Sequence, residues 1–227
     1  MTKLTWLSHG SWMIEKDDHR LLIDPFLTDN PAAKTSVDEL DGIGHILISH
    51  GHFDHVADAA AIAKGQDATI VAIYEIAEWF AKTHDVQSTV GMNIGGQLEL
   101  PFGTVKMTPA LHSSQLPDGS YGGEPAGFLL TIDQTRIYFA CDTALFSDMK
   151  LYAAEVDLAV LPIGDLFTMG IEDSVAATKL INARKVLPAH YGTWPPIAQD
   201  PNHWADRIRS ETTAVPVVLN VGESLEI

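Results

Sequence analysis

Three histidines and an aspartate fall within six residues, His50-Gly51-His52-Phe53-Asp54-His55. Neutral imidazole nitrogens and carboxylate oxygens are good ligands for zinc, manganese and iron. In an extended or turning loop the i, i+2 spacing points His50 and His52 the same way, which leaves Asp54 and His55 free to address a second site. Gly51 is expected to let the backbone turn tightly, and Phe53 to point away and pack. The bland alternative is a surface loop that happens to be rich in histidine. The density of donors directly after a buried strand at residues 45–49 weighs against it.

Three further donors repeat the pattern of a polar residue just past a strand-like run. His112 follows residues 105–111, Asp142 follows 137–141 and His190 follows 185–189. Taken singly, a histidine after a strand is more often a hydrogen-bonded structural residue. Strand ends are rigid platforms that converge on one edge of a sheet, so the four signals reinforce one another.

The elements that must position these residues are short. β-type patterning covers residues 3–7, 11–15 and 20–24, and the turn at 16–19 makes a hairpin of the last two. Residues 45–49 and 69–73 read as buried strands. An Ala-rich helix is expected over 56–64, ending at Gly65. Residues 74–83 carry apolar side chains at helical spacing. Strands follow at 97–100, 104–108, 127–132 and 136–140. Then come a strand at 157–161, a helix at 172–182, a strand at 184–187, a helix at 202–211, and strands at 215–220 and 224–227. A dozen short strands with four or five helices fits layered sheets covered by helices, in one domain spanning 1–227.

Composition narrows the function classes. The 227 residues carry 14 Lys plus Arg against 30 Asp plus Glu, a formal net charge of −16. That charge disfavours nucleic acid and anionic membranes as partners and favours a small-molecule substrate. Cys141 is the only cysteine, so no intrachain disulfide and no cysteine-based zinc knuckle can form, and a reducing compartment is expected. The first residues do not read as a signal peptide and no apolar run is long enough to span a bilayer, so the expected location is cytoplasmic.

At this point the chain resembles the metallo-β-lactamase fold superfamily. His50, His52, Asp54 and His55 match its His-x-His-x-Asp-His signature, and His112, Asp142 and His190 match its later ligand positions in order. Closer still, it is similar to the bacterial branch of small metal-dependent hydrolases of unassigned substrate related to ascorbate-6-phosphate lactonase. Among the segments that carry this likeness are Leu22-Ile23-Asp24-Pro25-Phe26, Thr108-Pro109-Ala110-Leu111-His112-Ser113-Ser114 and Phe167-Thr168-Met169-Gly170. The resemblance implies an α/β (α+β) fold, a four-layer αββα sandwich with the metals at one edge of the sheets. It implies that His50, His52 and His112 bind one ion, that Asp54, His55 and His190 bind a second, and that Asp142 bridges them. Two zinc ions are the expected cofactor, with manganese the alternative. Asp54 and His55 are assigned to catalysis as well, Asp54 orienting the nucleophile if a single ion is bound. The related lactonase also points to a homo-oligomer.

The expected chemistry is attack by a metal-activated hydroxide on an ester, lactone or phosphodiester. The rivals are a metal-dependent ribonuclease of the same superfamily and a metal- or ligand-binding protein without turnover. A di-iron oxidoreductase is a more distant one. Four residues are candidates for supporting the ligands or touching substrate. His9 stands in a loop near the site, with Gly10 permitting a tight turn there. Asp24 is expected to orient a ligand imidazole, Tyr191 to donate a proton or simply to pack, and Thr168, with Met169, to line the pocket mouth. Ser113 and Ser114 are placed to support His112. Trp194-Pro195-Pro196 either lines the pocket or makes a subunit contact. Two positions depart from the family pattern. Cys141 replaces an expected glycine and reads as a buried filler on a strand, with a thiolate ligand as the alternative, and Asp165-Leu166 stands where some relatives offer Gly-Arg, so that if this arginine holds an anionic substrate there, this chain lacks it.

Overall fold

The computed structural model describes residues 1–227. The N-terminal half builds β1 (Thr2–Ser8), β2 (Ser11–Lys16), β3 (His19–Ile23), β4 (Ile43–Ile48), the short helix α1 (Phe53–Val56), α2 (Ala59–Gln66), β5 (Thr69–Ile73), α3 (Tyr74–Thr83) and β6 (Thr89–Met92). The remainder builds β7 (Gln97–Leu100), β8 (Gly103–Pro109), β9 (Ala126–Ile132), β10 (Thr135–Phe139), α4 (Met149–Ala153), β11 (Leu158–Pro162), α5 (Ile171–Ile181), β12 (Lys185–Ala189), α6 (Pro201–Glu211), β13 (Val215–Pro216) and β14 (Ser224–Glu226). Two seven-stranded mixed sheets result, ordered β14-β1-β2-β3-β4-β5-β6 and β13-β12-β11-β10-β9-β8-β7. Helices α2 and α3 pack on the first sheet, and α5 and α6 on the second. This is the expected αββα sandwich.

The strand sequences explain the layering. β11 is buried at every position, and β5 at all but its first. Such continuous apolar runs belong to strands covered on both faces. A contiguous apolar core that includes Leu4, Trp12, Ile14, Phe128 and Phe139 holds the molecule together.

Strand direction places the chemistry. β1 and β3 are each antiparallel to β2, and β4 runs parallel to β3. In the other sheet β8 and β10 are each antiparallel to β9, and β11 and β12 run parallel to β10. Thus β1, β3 and β4 end at a common edge of one sheet, and β8, β10 and β12 at a common edge of the other. The residues that follow those six ends are His9, Asp24, His50, His112, Asp142 and His190. The carboxyl ends of parallel strands are where open α/β sheets carry their sites.

Several sequence expectations are corrected here. The helix expected to stop at Gly65 runs to Gln66 and is closed by Asp67 in the left-handed conformation (φ 55°). It is also split from α1, because the buried Asp58 carboxylate accepts the Leu27 and Thr28 amides and anchors the break. The strand expected over 215–220 shrinks to Val215–Pro216, after which the chain crosses from the second sheet to the first and Gly222 donates to the Trp6 carbonyl. β6 and α4 were not anticipated.

One glycine at this edge carries a testable consequence. A Cβ at Gly164, just past β11, would overlap the carbonyl oxygen of His190. Gly164→Ala should therefore destabilise the fold by about 1–3 kcal/mol, and it should move His190 and weaken metal retention. Thermal melts and metal analysis of the purified variant check both effects.

Candidate metal centre

The backbone at this edge is held away from relaxed conformations. His9 (φ 54°), Asp24 (φ 45°), Cys141 (φ 53°) and His190 (φ 52°) all lie in the left-handed region, beside the ends of β1, β3, β10 and β12. Each costs about 1–3 kcal/mol and persists only where the surroundings fix it. The strained conformation at Cys141 is one that glycine adopts freely, which accounts for the glycine expected there. Cys141 lies past the end of β10, not on it.

Glycines 10 and 51 contribute space, not turning. Neither has a positive φ; a Cβ at Gly10 would lie 3.1 Å from the His55 ring, and one at Gly51 3.2 Å from the backbone of Gln115 and Leu116. Ser114 accepts the Gly51 amide at 3.0 Å, and the Ser113 hydroxyl lies 3.3 Å from His52 Nε2. The two serines therefore support the 50–52 loop and not His112.

All seven expected ligands meet. His50 Nε2 lies 3.0 Å and His112 Nε2 3.3 Å from His52 Nδ1, so three imidazole nitrogens converge on one point. Asp54, His55 and His190 form a neighbouring group that also includes His9. Asp142 touches both groups. Its Oδ2 lies 3.0 Å from His190 Nε2, 3.4 Å from His55 Nε2, 3.7 Å from His112 Nε2 and 3.9 Å from His50 Nε2.

This donor set fits divalent cations. The His55 and His190 Nε2 atoms are buried without a hydrogen-bond partner, although carboxylate oxygens stand close by. Buried polar atoms left this way need another partner. Nitrogen and carboxylate donors without thiolate suit zinc, manganese or iron. Cys141 joins none of the donor groups, and burial, with Asp24 and Asp142 nearby, raises its pKa far enough to keep it a thiol.

Electrostatics divide the imidazoles. Burial, reinforced by His55, holds His50 well below the usual histidine pKa, and burial lowers His52 and His112. Burial also works against a proton on His55, yet Asp142, Asp24 and Asp54 overcome it and hold that pKa well above normal. His190 is pushed up to about 9, burial being outweighed chiefly by Asp142. Burial likewise opposes charge on Asp142 and Asp54, but the imidazoles around them keep both well below the ordinary carboxylate range.

The supporting residues fix which nitrogen faces the centre. Asp24, buried in its strained turn, accepts from His55 Nδ1 at 2.8 Å and from the Ser49 hydroxyl at 2.5 Å. With its hydroxyl proton committed to Asp24, Ser49 accepts from His50 Nδ1 at 2.9 Å. One carboxylate therefore turns two imidazoles so that their Nε2 atoms face inward. Asp24→Asn should weaken metal binding about 10–100-fold, and Ser49→Ala should weaken it less. Competition with a chromophoric chelator measures both, and unchanged affinities would refute the relay.

His9 does for Asp54 what Asp24 does for His55. It is fully buried, and its Nε2 lies 3.0 Å from Asp54 Oδ2 while its Nδ1 lies 2.9 Å from the Thr193 hydroxyl. Burial and the charge of His190 hold its pKa down to about 4, so the ring is neutral. Because a carboxylate only accepts, Nε2 carries the proton and Nδ1 accepts from Thr193.

Of the two alternatives for Tyr191 the structure takes packing, and the expectation for Thr168 fails. Tyr191 is buried against Trp6, its ring stacked at 5.2 Å, and burial pushes its hydroxyl to about 12, so it packs away from the centre. Thr168 turns its hydroxyl to the Met169 carbonyl, and Met169 is fully buried. Phe167 and Trp194 line the cavity instead, and so does Phe53, which is 57% exposed and not packed away. Ser49 and Thr193 gave no sequence signal, since their roles depend on partners brought together by folding.

Fold and donor set together define the class. A model of the beta-lactamase superfamily domain matches residues 19–191. A relative from Pelotomaculum thermopropionicum, described as a UPF0173 metal-dependent hydrolase, is 43% identical over 99% of this chain and 100% of its own. One from Pyrococcus furiosus with the same description is 40% identical over the whole of both chains. Among solved structures, Igni18, a metallo hydrolase from Ignicoccus hospitalis, superposes with a TM-score of 0.88 at 34% identity, covering 100% of this chain and 99% of that one. The chain belongs to the UPF0173 metal-dependent hydrolases of the metallo-β-lactamase superfamily. No helix is long and apolar enough to cross a membrane.

Proposed function

We propose that this protein hydrolyses an ester, lactone or phosphodiester bond in a small molecule at a centre of two divalent ions, zinc in the first instance and manganese as the alternative. The observation that carries this reading is the position of Asp142, whose Oδ2 lies within 3.0–3.9 Å of imidazoles from both donor groups. His50, His52 and His112 would hold one ion and Asp54, His55 and His190 the other, with Asp142 shared. Ions bound there supply Lewis acidity, lowering the pKa of a bound water toward ~7 and polarising the bond to be cleaved.

The remaining work belongs to the chain. Asp54 stays ionised, and His9 Nε2, 3.0 Å away, fixes the orientation of its carboxylate. Asp24 and Ser49 keep His55 and His50 in the tautomers that present Nε2. The packing behind the donors keeps their geometry in place when substrate enters.

The test removes metal with a chelator, dialyses, and restores zinc or manganese against a panel of esters, lactones and phosphodiesters. Turnover should vanish and return with metal, and analysis of the restored protein should give two ions per chain. Turnover that survives complete metal removal would overturn the reading.

A further inference from the structure

The cavity in front of the centre has a volume of about 600 Å³, within the range of small-molecule sites. His52, Asp54, His112, Asp142 and His190 form its floor. Phe53 and Trp194 make an aromatic wall, and Phe167 also lines the cavity; Leu116 and Pro117 add apolar surface and Ser113 and Gln115 add uncharged polar groups. No lysine or arginine lines it.

The aromatic wall is built to stay in place. The buried Phe26 ring meets Phe53 edge-on at 5.8 Å, and Trp194 is tilted against these two rings at 5.8 and 6.0 Å. Phe53 and Phe167 nevertheless leave 57% and 55% of their surface open. Apolar rings exposed at a cavity mouth gain free energy when a ligand covers them. The position where some relatives offer an arginine holds Leu166, which is 66% exposed, and Asp165 beside it adds negative charge.

Resting on the hydrolase reading above, we propose that the substrate is an uncharged ester or lactone with an apolar arm, acyl or aryl, that lies against Phe53, Phe167 and Trp194. Phosphate esters are disfavoured. Two bound divalent ions would bring positive charge of their own, which Asp54 and Asp142 halve and which acts on the reacting group at the floor. Nothing beyond the floor would hold a second anionic group, and the net charge of −16 repels one on approach.

The test uses the metal-loaded protein and a series of linear acyl hydroxamic acids from acetyl to octanoyl, which are neutral in solution, bind metal as the hydroxamate and carry an arm of growing length. Calorimetry should show affinity rising about two- to fourfold per methylene until the wall is covered. Phe53→Ala and Phe167→Ala should each flatten that slope. In parallel, octanoyl esters should be hydrolysed with at least tenfold higher kcat/KM than phosphodiesters of the same chain length. A flat wild-type series, a slope unchanged in both variants, or faster phosphodiester cleavage would overturn the proposal. So would a change in sedimentation with no change in slope, which would make the aromatic wall a contact between two copies. Absence of all turnover with the hydroxamate slope intact would defeat the hydrolase reading and leave the apolar subsite standing.

Discussion

Asp142→Asn is expected to strip the centre of at least one ion and to cut turnover a thousandfold or more. The carboxylate is buried, and its Oδ2 is the anion nearest to His190 at 3.0 Å; it also lies 3.4 Å from His55 Nε2, with His112 and His50 within 3.9 Å. Asparagine keeps the shape and removes the charge. Breaking a buried charge pair by removing one partner costs about 3–5 kcal/mol, which at 1.36 kcal/mol per decade is a loss of roughly 10²–10⁴ in ion affinity. The same substitution removes the main support for protonation of His190, so in the metal-free variant its pKa should fall from about 9. Metal analysis, rates on an ester substrate and a histidine NMR titration report these effects separately. Two retained ions with full activity would mean that Asp142 is not the shared ligand.

The sequence carried much of this centre because its strongest signal is local. His50, His52, Asp54 and His55 share one loop, and His112, Asp142 and His190 each follow a strand whose end points to the same edge. Asp24 was readable for a similar reason, as a carboxylate ending a strand. What escaped depends on contacts between distant segments. His9 is a candidate from its place near the site, but its partner Thr193 lies 184 positions away and no pattern around Thr193 announces it. Ser49 looked like the last residue of a buried strand, and its hydroxyl gains a role only once Asp24 arrives from β3. Neighbouring positions are also easily exchanged in a tight loop: Phe167 lines the cavity where Thr168 was expected, and it follows two residues, Asp165 and Leu166, with positive φ that no side-chain pattern announces. In the fold, α4 has five residues and β6 four, too short for periodicity to register.

Metal removal should lower the melting temperature by about 8–16 °C for each ion bound at a thousand times its dissociation constant, because such binding stabilises by about 4.1 kcal/mol and a chain of this size shifts about 2–4 °C per kcal/mol. The gap between metal-loaded and metal-free protein should widen as pH rises from 7.5 to 9.5. In the metal-free protein His55 is held well above the usual histidine pKa and His190 at about 9. A group whose folded pKa is raised contributes stability below its unfolded value, near ~6.5, and loses it as pH climbs through the folded value. The metal-free fold therefore weakens across this window as His190 gives up its proton, and the raised pKa of His55 acts in the same direction. Metal binding, which needs both nitrogens unprotonated, competes with those protons and strengthens over the same interval. Loading at pH 7.5 should release close to two protons, read by calorimetry in buffers of different ionisation enthalpy. Thermal scans with and without chelator at pH 7.5, 8.5 and 9.5 complete the test: a gap that stays constant with pH, or loading without proton release, would show that His55 and His190 do not face the ions.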